Sequence, residues 1–572
     1  MRRLPFPGGR KRNESVLKAV AKDPPTPPEG PKQVAVIVPG VIESMLVLHK
    51  GTPQETPFYR DAVKLVKKKA GGFLLGAARA LLFRDHRQLN AFGEALSDEA
   101  FGALAMTPAG ESVHPLETVI SGAAESSYAA IHAAGKWPSV GYGAREAAEL
   151  AGRIGGDNVF VFCYDWRQGV VKVASLLRDF LKEVTDVTGA EELDLCGCSY
   201  GCQVIAQYLY AGGGDKVRRI VFNAPAWQGT ALFRGLLEED KEKLTFRADA
   251  AARVLTRFAG WELDLEPYAR LLPKRLVRET AYAMIRRALL GGLLYAPGLW
   301  SCCADADYDR LKEKYLDPVK SAALIAQTDA AHYGVMRRIP EVLAAAREKG
   351  ISLWAVMNDG TALMAGDAED GDGVIDAATG SGGVCLPKGQ RLPEERRGRT
   401  VSPDRRYDLC DALLPDRTWV VTGQVHGQSF WDDATRGLIA DLLLTGKPET
   451  TDSDPAYPRF LDSHCPADGV SLRLTGRAEK ILRPSEGPRQ AVIRNDSERK
   501  RVLVLSATVE GLPYRISKAR GLLAPGESLP VTLAPEGAGT ASAHGEIAVR
   551  FIKCDPLPLL HRRAQTFRCG EN

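Results

Sequence analysis

The segment that most constrains this chain is Leu193-Asp194-Leu195-Cys196-Gly197-Cys198-Ser199-Tyr200-Gly201-Cys202, which runs on into Gln203 to Tyr210. An apolar run that reads as a strand ends on a serine with glycine two residues to either side, and a helical run begins at once. So tight a turn has no room for side chains two residues from its apex, which is why glycines stand there. The serine is lifted clear of the strand's end, and the following helix N-terminus faces whatever negative charge develops beside it. The string G-x-S-x-G alone arises easily by chance in 572 residues. The strand before it and the helix after it make this one a candidate nucleophile elbow, with Ser199 as nucleophile.

Similar apolar, β-branched runs recur at Val34 to Pro39, Val159 to Asp165, Val217 to Asn223, Ile351 to Met357 and Thr418 to Thr422. Between two of them, Val170, Val173, Leu177, Leu181 and Val184 repeat at helical spacing. Strand and helix therefore alternate as a parallel sheet requires, and the predicted fold class is α/β, in the form of an α/β-hydrolase fold over residues 33–462. Two stretches, near 44–135 and 229–347, break the alternation with Ala, Leu, Lys and Arg at helical period and read as helical cap insertions. Residues 1–32 carry a proline cluster and no apolar core, and read as a flexible tail. Beyond Asp468 the texture changes to short alternating runs separated by turn signals at Asn495-Asp496, Glu510-Gly511 and Pro525-Gly526. Residues 468–572 are thus expected to form a small, independent antiparallel β-sandwich of immunoglobulin-like type without catalytic groups.

A serine nucleophile needs a base and an acid, which in this fold follow it in the order Ser, Asp, His. Downstream histidines are His332, His426, His464, His544 and His561. His426 is the best placed, because Gly423-Gln424-Val425-His426-Gly427 joins a strand-like run to the helix-like run Phe430 to Leu444. His332 falls in the second cap stretch, His464 in a polar linker, and the last two in the sandwich. For the acid, the loop Asp370-Gly371-Asp372-Gly373-Val374-Ile375-Asp376 lies between the fifth strand and His426. The same loop has a rival reading as a calcium site through Asp367, Asp370, Asp372 and Asp376, although its spacing departs from the EF-hand pattern.

Composition narrows the function. With 75 basic and 71 acidic residues the net charge is +4, so no field that would recruit nucleic acid is expected. Eleven cysteines, several beside the elbow, together with the missing secretory pattern, point to reduced thiols and a cytoplasmic location. No CxxC pair with a histidine partner occurs, so neither a metal site nor a cofactor is expected. The longest apolar runs, Gly71 to Phe83 and Ala288 to Cys303, are too short for a membrane span. Lys67-Lys68-Lys69 ahead of the first suits peripheral contact with an anionic bilayer.

Val36-Ile37-Val38-Pro39-Gly40, Tyr164-Asp165-Trp166-Arg167, the Ser199 elbow, Gly371-Asp372-Gly373 and His426, in this order, resemble the lecithin:cholesterol acyltransferase-like family, which includes phospholipid:diacylglycerol acyltransferases and the lysosomal phospholipase. The resemblance covers about Val34 to Leu444. It implies Ser199 as nucleophile, Asp372 as acid and His426 as base, with the backbone N–H groups of Val41 and Tyr200 forming the oxyanion hole. It also implies a serine esterase, lipase or O-acyltransferase acting on acyl esters, with lipids as substrates. The chain departs from the family pattern at Cys198 and Tyr200, where the family usually has His before the serine and a small residue or Met after it. The alternative from another class is a catalytically inactive protein of the same fold, with the sandwich as a module for an unknown protein partner.

Overall fold

The computed structural model describes residues 32–58, 76, 79, 87–238 and 274–570, apart from 142, 367–369, 388, 397, 428, 430–431, 464–467, 477–479, 498–500, 518, 538–541 and 555–558. The proposed tail, the Lys64 to Phe83 run, Asp367 and His464 lie outside the described residues or almost wholly so. The chain packs as two compact units. One comprises Met1–Leu353, Ala362–Ala368 and Gly373–Gly380; the other comprises Trp354–Thr361, Glu369–Asp372 and Ser381–Asn572.

In the first unit, β1 (Ala35–Val38), β2 (Val159–Val161), β3 (Leu193–Cys198) and β4 (Val217–Asn223) are parallel, in the order β4-β3-β1-β2. Ile37 lies opposite Cys196, and Cys196 opposite Val221. β1 to β3 are buried along their whole length, as expected where helices cover both faces of a parallel sheet. In chain order the helices α1 (Arg87–Phe101), α2 (Gly143–Ile154), α3 (Val170–Thr188) and α4 (Tyr200–Tyr210) follow. The α3 stripe is the one read from sequence, continued by Thr185. It stops where Gly189, at φ 67°, turns its N–H back to the Thr185 carbonyl. The chain leaves β1 toward β2 on one side and returns to β3 on the other. The carboxyl ends of β1 and β3 therefore flank a topological switch point, where open α/β sheets bind ligands.

The two cap stretches meet inside this unit. α1 packs on α5 (Lys274–Leu290) through Leu96, Ala100 and Met284, and Arg287 pairs with Asp98 at 2.8 Å. The first stretch is not purely helical: Leu46–Leu48, Thr56–Pro57 and Leu116–Thr118 form a small antiparallel sheet. Strands of two or three residues are too short to display a period, so sequence pattern misses them. The apolar run Ala288 to Cys303 is core: Leu289, Leu294, Trp300 and Cys303 pack with α6 (Asp305–Tyr315) through Tyr308 and Leu311. Among the described residues no helix is long and apolar enough to cross a membrane.

The second unit holds the parallel strands β5 (Ser352–Asp359, from Trp354 onward), β6 (Thr418–Thr422) and β7 (Phe460–Asp462), with β6 between the others. Helix α7 (Asp433–Thr445) is capped by Asp432, whose carboxylate accepts the N–H groups of Ala434 and Thr435. Beyond it two antiparallel sheets form. One orders β8 (Val470–Leu474), β9 (Arg489–Asn495), β10 (Ser528–Pro535) and Tyr514–Ile516. The other is built on Val502–Glu510, Ala543–Lys553 and Leu559–Cys569. Alternate residues such as Val470, Leu472, Ile547, Val549 and Phe551 fill the core, as the alternating pattern requires.

Buried polar ties join the sandwich strands to the segment before them. Lys480 pairs with Asp462 at 2.7 Å, the His544 ring meets the Pro403 carbonyl, and the Arg563 guanidinium lies over Gly423. An alternation read strand by strand carries no information about such ties.

Candidate active site

Ser199 stands between β3 and α4 at φ 53° and ψ −119°, a conformation that costs a non-glycine residue roughly 1–3 kcal/mol and that the surroundings must impose. Its N–H donates to the Asn223 carbonyl at 3.0 Å, and its own carbonyl accepts from Cys202. The flanking glycines are sterically required. A Cβ on Gly201 would lie 2.0 Å from the Val38 carbonyl oxygen, and one on Gly197 would lie 2.9 Å from Ile205 Cδ1. The elbow is therefore wedged against the end of β1.

The loop after β1 lies beside the serine. A Cβ on Gly40 would come within 2.9 Å of Ser199 Cβ, so only glycine allows this approach. Gly40 N–H donates to the buried Glu43 carboxylate, and Ile42 sits at φ 68°. Tyr164 OH donates to the Pro39 carbonyl at 2.5 Å. Arg167, fully buried, is held by Asp165 at 2.8 Å and reaches the Leu104 carbonyl. Tyr164 to Arg167 is thus an anchor that fixes the loop carrying Val41. The Tyr200 side chain is buried too, its hydroxyl donating to the Gln168 carbonyl at 3.0 Å. Its size at the position after the serine is accommodated by core packing.

In the second unit, His426 Nδ1 lies 2.6 Å from Asp372 Oδ2, and His426 N–H donates to the Asp372 carbonyl at 2.7 Å. The residues are 2% and 1% exposed. Thr361 N–H donates to the Gly371 carbonyl at 2.8 Å, which fixes the acidic loop beside the end of β5. The histidine loop is fixed in turn by Gln424, whose amide donates to Asp432 at 3.0 Å and Thr435 at 2.8 Å, while Ser463 also donates to Asp432. Gln424 and Asp432 were not legible as site residues; the N-cap position of Asp432, next to the histidine turn, was their only signal.

The other loop acids have different tasks. Asp370 pairs with Arg406, and Asp376, in the first unit, accepts the backbone N–H groups of Ala231 and Thr379. Asp359, at the end of β5, accepts from Tyr407 OH at 2.5 Å; burial pushes its carboxyl up to about 6. Asp367 of the calcium reading lies outside the described residues; among the described residues the group with metal-binding geometry is Glu146, Cys196 and Cys198.

Within each unit, then, the expected residues are brought together: Ser199, Tyr200 and the Val41 loop in the first, Asp372 and His426 in the second. His332 is occupied elsewhere, with Nδ1 3.0 Å from Asp305, Nε2 3.0 Å from the Trp300 carbonyl, and its ring stacked on Tyr308. Every described cysteine is in the thiol state.

Compared with family models and with curated protein sequences, the chain matches none. Among solved structures it is similar to the Tle4-Tli4 complex, at 12% identity over 73% of this chain and 100% of that one, with a TM-score of 0.29. A membrane phospholipase A, a bacterial virulence factor, gives 13% identity over 53% and 74%, TM-score 0.24. The lipase BlEst2 of Bacillus licheniformis in propeptide form gives 10% over 75% and 91%, TM-score 0.23. The chain spans 58% of the length of the periplasmic chaperone SfaE, at 12% identity over 18% of this chain and TM-score 0.15. Similarities this low carry no argument about activity.

Proposed function

We propose that the chain is an α/β-hydrolase-fold serine hydrolase or acyltransferase, of the lecithin:cholesterol acyltransferase-like type, that acts on acyl esters and in particular on lipids. The observation that carries this reading is Ser199 at positive φ, wedged by Gly40, Gly197 and Gly201 at the switch point of the sheet. A buried Asp372–His426 pair at 2.6 Å supports it, in the chain order this fold uses. In the proposed reaction Ser199 Oγ attacks the ester carbonyl and His426 takes its proton, then passes it to the departing alcohol. Asp372 holds the imidazole tautomer and balances its charge, and the N–H groups of Val41 and Tyr200 receive the oxyanion. Water or a second alcohol then takes the acyl group from the serine.

The test is labelling of the full chain with a fluorophosphonate probe, followed by peptide mapping, alongside turnover of short-chain and long-chain acyl esters. Labelling at Ser199, and loss of labelling and turnover in a folded Ser199→Ala variant, is the expected result. A parent chain that neither labels nor cleaves any ester leaves the non-catalytic binding protein as the reading.

A further inference from the structure

The strand that carries Ser199 also carries two thiols that the proposed reaction does not use. Cys196 and Cys198 are two residues apart on β3, so both point to one face of the sheet. Gly197 between them faces Ile205 and Cys202 of α4, which puts the thiols on the opposite face. There α2 supplies Glu146, and one carboxylate oxygen and the two sulfurs all lie within 4.8 Å of one another.

Glu146 is 1% exposed on a helix whose other buried positions are Gly, Ala, Leu and Ile. Neither of its carboxylate oxygens makes a well-aligned hydrogen bond, and the polar group that faces it is the Cys196 thiol. Leaving a buried carboxyl unpaired is costly, and each such group in a folded protein calls for a reason. Burial pushes this carboxyl up to about 8 against the opposing pull of the Cys196 thiol, and burial likewise pushes Cys198 up to about 12. The Glu43 carboxylate, of the same sign, pushes the Glu146 carboxyl in the same direction.

We propose that Glu146, Cys196 and Cys198 form a buried binding site for one thiophilic divalent cation of the zinc class, which ties α2 to the strand beneath the nucleophile. Two sulfurs and one oxygen are a donor set that zinc accepts, and metal–ligand lengths of about 2.3 and 2.0 Å in a tetrahedron need ligand separations of ~3.5–3.8 Å. Small rotamer adjustments reach these from separations no greater than 4.8 Å. On binding, the two thiols and the Glu146 carboxyl each give their proton to solvent, and the two thiolates and the carboxylate become the ligands; no electron is transferred. Three protein donors leave the fourth tetrahedral position to a water molecule, and the burial of all three residues makes the ion a structural one that does not meet substrate.

The experiment is metal analysis of the full chain as isolated, and again after unfolding and refolding with Zn2+ or Cd2+. About one ion per chain is expected, with a thiolate-to-metal charge-transfer band for Cd2+ and a rise in Tm on loading. The double variant Cys196→Ala, Cys198→Ala should lose the ion and the band, and Glu146→Gln, which keeps the shape of the side chain, should weaken retention at least about tenfold. Background metal content in both preparations of the parent overturns the proposal. So does equal content in the double variant, since the ion would then sit on other thiols such as the exposed Cys410 and Cys554. If the double variant fails to fold, Glu146→Gln decides: retention equal to the parent's overturns the site.

Discussion

Two buried histidines, one in each unit, stand against an aspartate, and they are held differently. His332 is gripped at both ring nitrogens, by the Asp305 carboxylate and the Trp300 carbonyl, and its ring is stacked 3.7 Å from that of Tyr308. Asp305 is shared with Arg337 at 2.9 Å. His426 lies in a loop at the carboxyl end of β6, with Nδ1 2.6 Å from Asp372 and its own N–H on the Asp372 carbonyl. A histidine–aspartate pair is therefore not a catalytic signature by itself. The arrangement around His332 knits α6 to the segment after it, whereas that around His426 orients a ring in a loop braced from behind by Gln424 and Asp432.

The largest expected effect separates the two pairs by activity. Asp372→Asn should lower the acylation rate by about 10⁴, as in serine proteases whose histidine is left in the wrong tautomer. Asp305→Asn should leave turnover by the folded chain near the parent's, as should Asp370→Asn and Asp376→Asn. Pre-steady-state acylation kinetics measure this, and equal losses at Asp372 and Asp305 would break the comparison. Chelators should not affect Asp372-dependent turnover through calcium, and restoration by Ca2+ after chelation would reinstate the calcium reading of the loop.

Stability should sort the pairs the other way. His332→Ala removes a stacked ring and two hydrogen bonds from a buried position and should cost about 3 kcal/mol in denaturant unfolding, with the folded fraction still turning over ester. Smaller again is the effect expected where the sandwich meets the histidine loop. Gly423 sits at φ 90°, and a Cβ there would meet Arg563 Nη2 at 2.5 Å. Gly423→Ala should cost about 1–2 kcal/mol and lower kcat more than it raises KM, because the strain falls three residues before His426.

The smallest effect is in pH dependence. The Asp359 carboxyl is raised by burial from the usual carboxylate value to about 6. The folded chain then holds this proton more tightly than the unfolded one, so its contribution to stability falls as pH rises from about 4 to 6 and is level above that. Asp359→Asn should remove this part of the slope in Tm against pH. An unchanged slope would place the titration on another group.

Much of the local geometry of the candidate site was legible in the chain because it depends on local sterics. The glycines around Ser199 report a turn that admits no side chain, and strand-then-helix periodicity supplies its context. β3, β4 and β6 match their sequence-read spans residue for residue. The histidine loop was legible for the same reason, as a short connection between a strand and a helix.

Choosing among Asp370, Asp372 and Asp376 was beyond composition or spacing, since all three share one glycine-rich loop. Resemblance favoured Asp372, and the tertiary contacts of Arg406, His426 and Ala231 divide the three. The same holds for the Glu146, Cys196 and Cys198 cluster, whose carboxylate is 50 residues before the first thiol and whose thiols follow no CxxC spacing. It holds too for the ties of the sandwich through Lys480 and Arg563. What the sequence determined alone were features set by bonds and sterics within a few residues. Which distant side chains meet was decided only when helices packed on sheets, because that pairing depends on the three-dimensional path of the backbone and leaves no periodic trace in the chain.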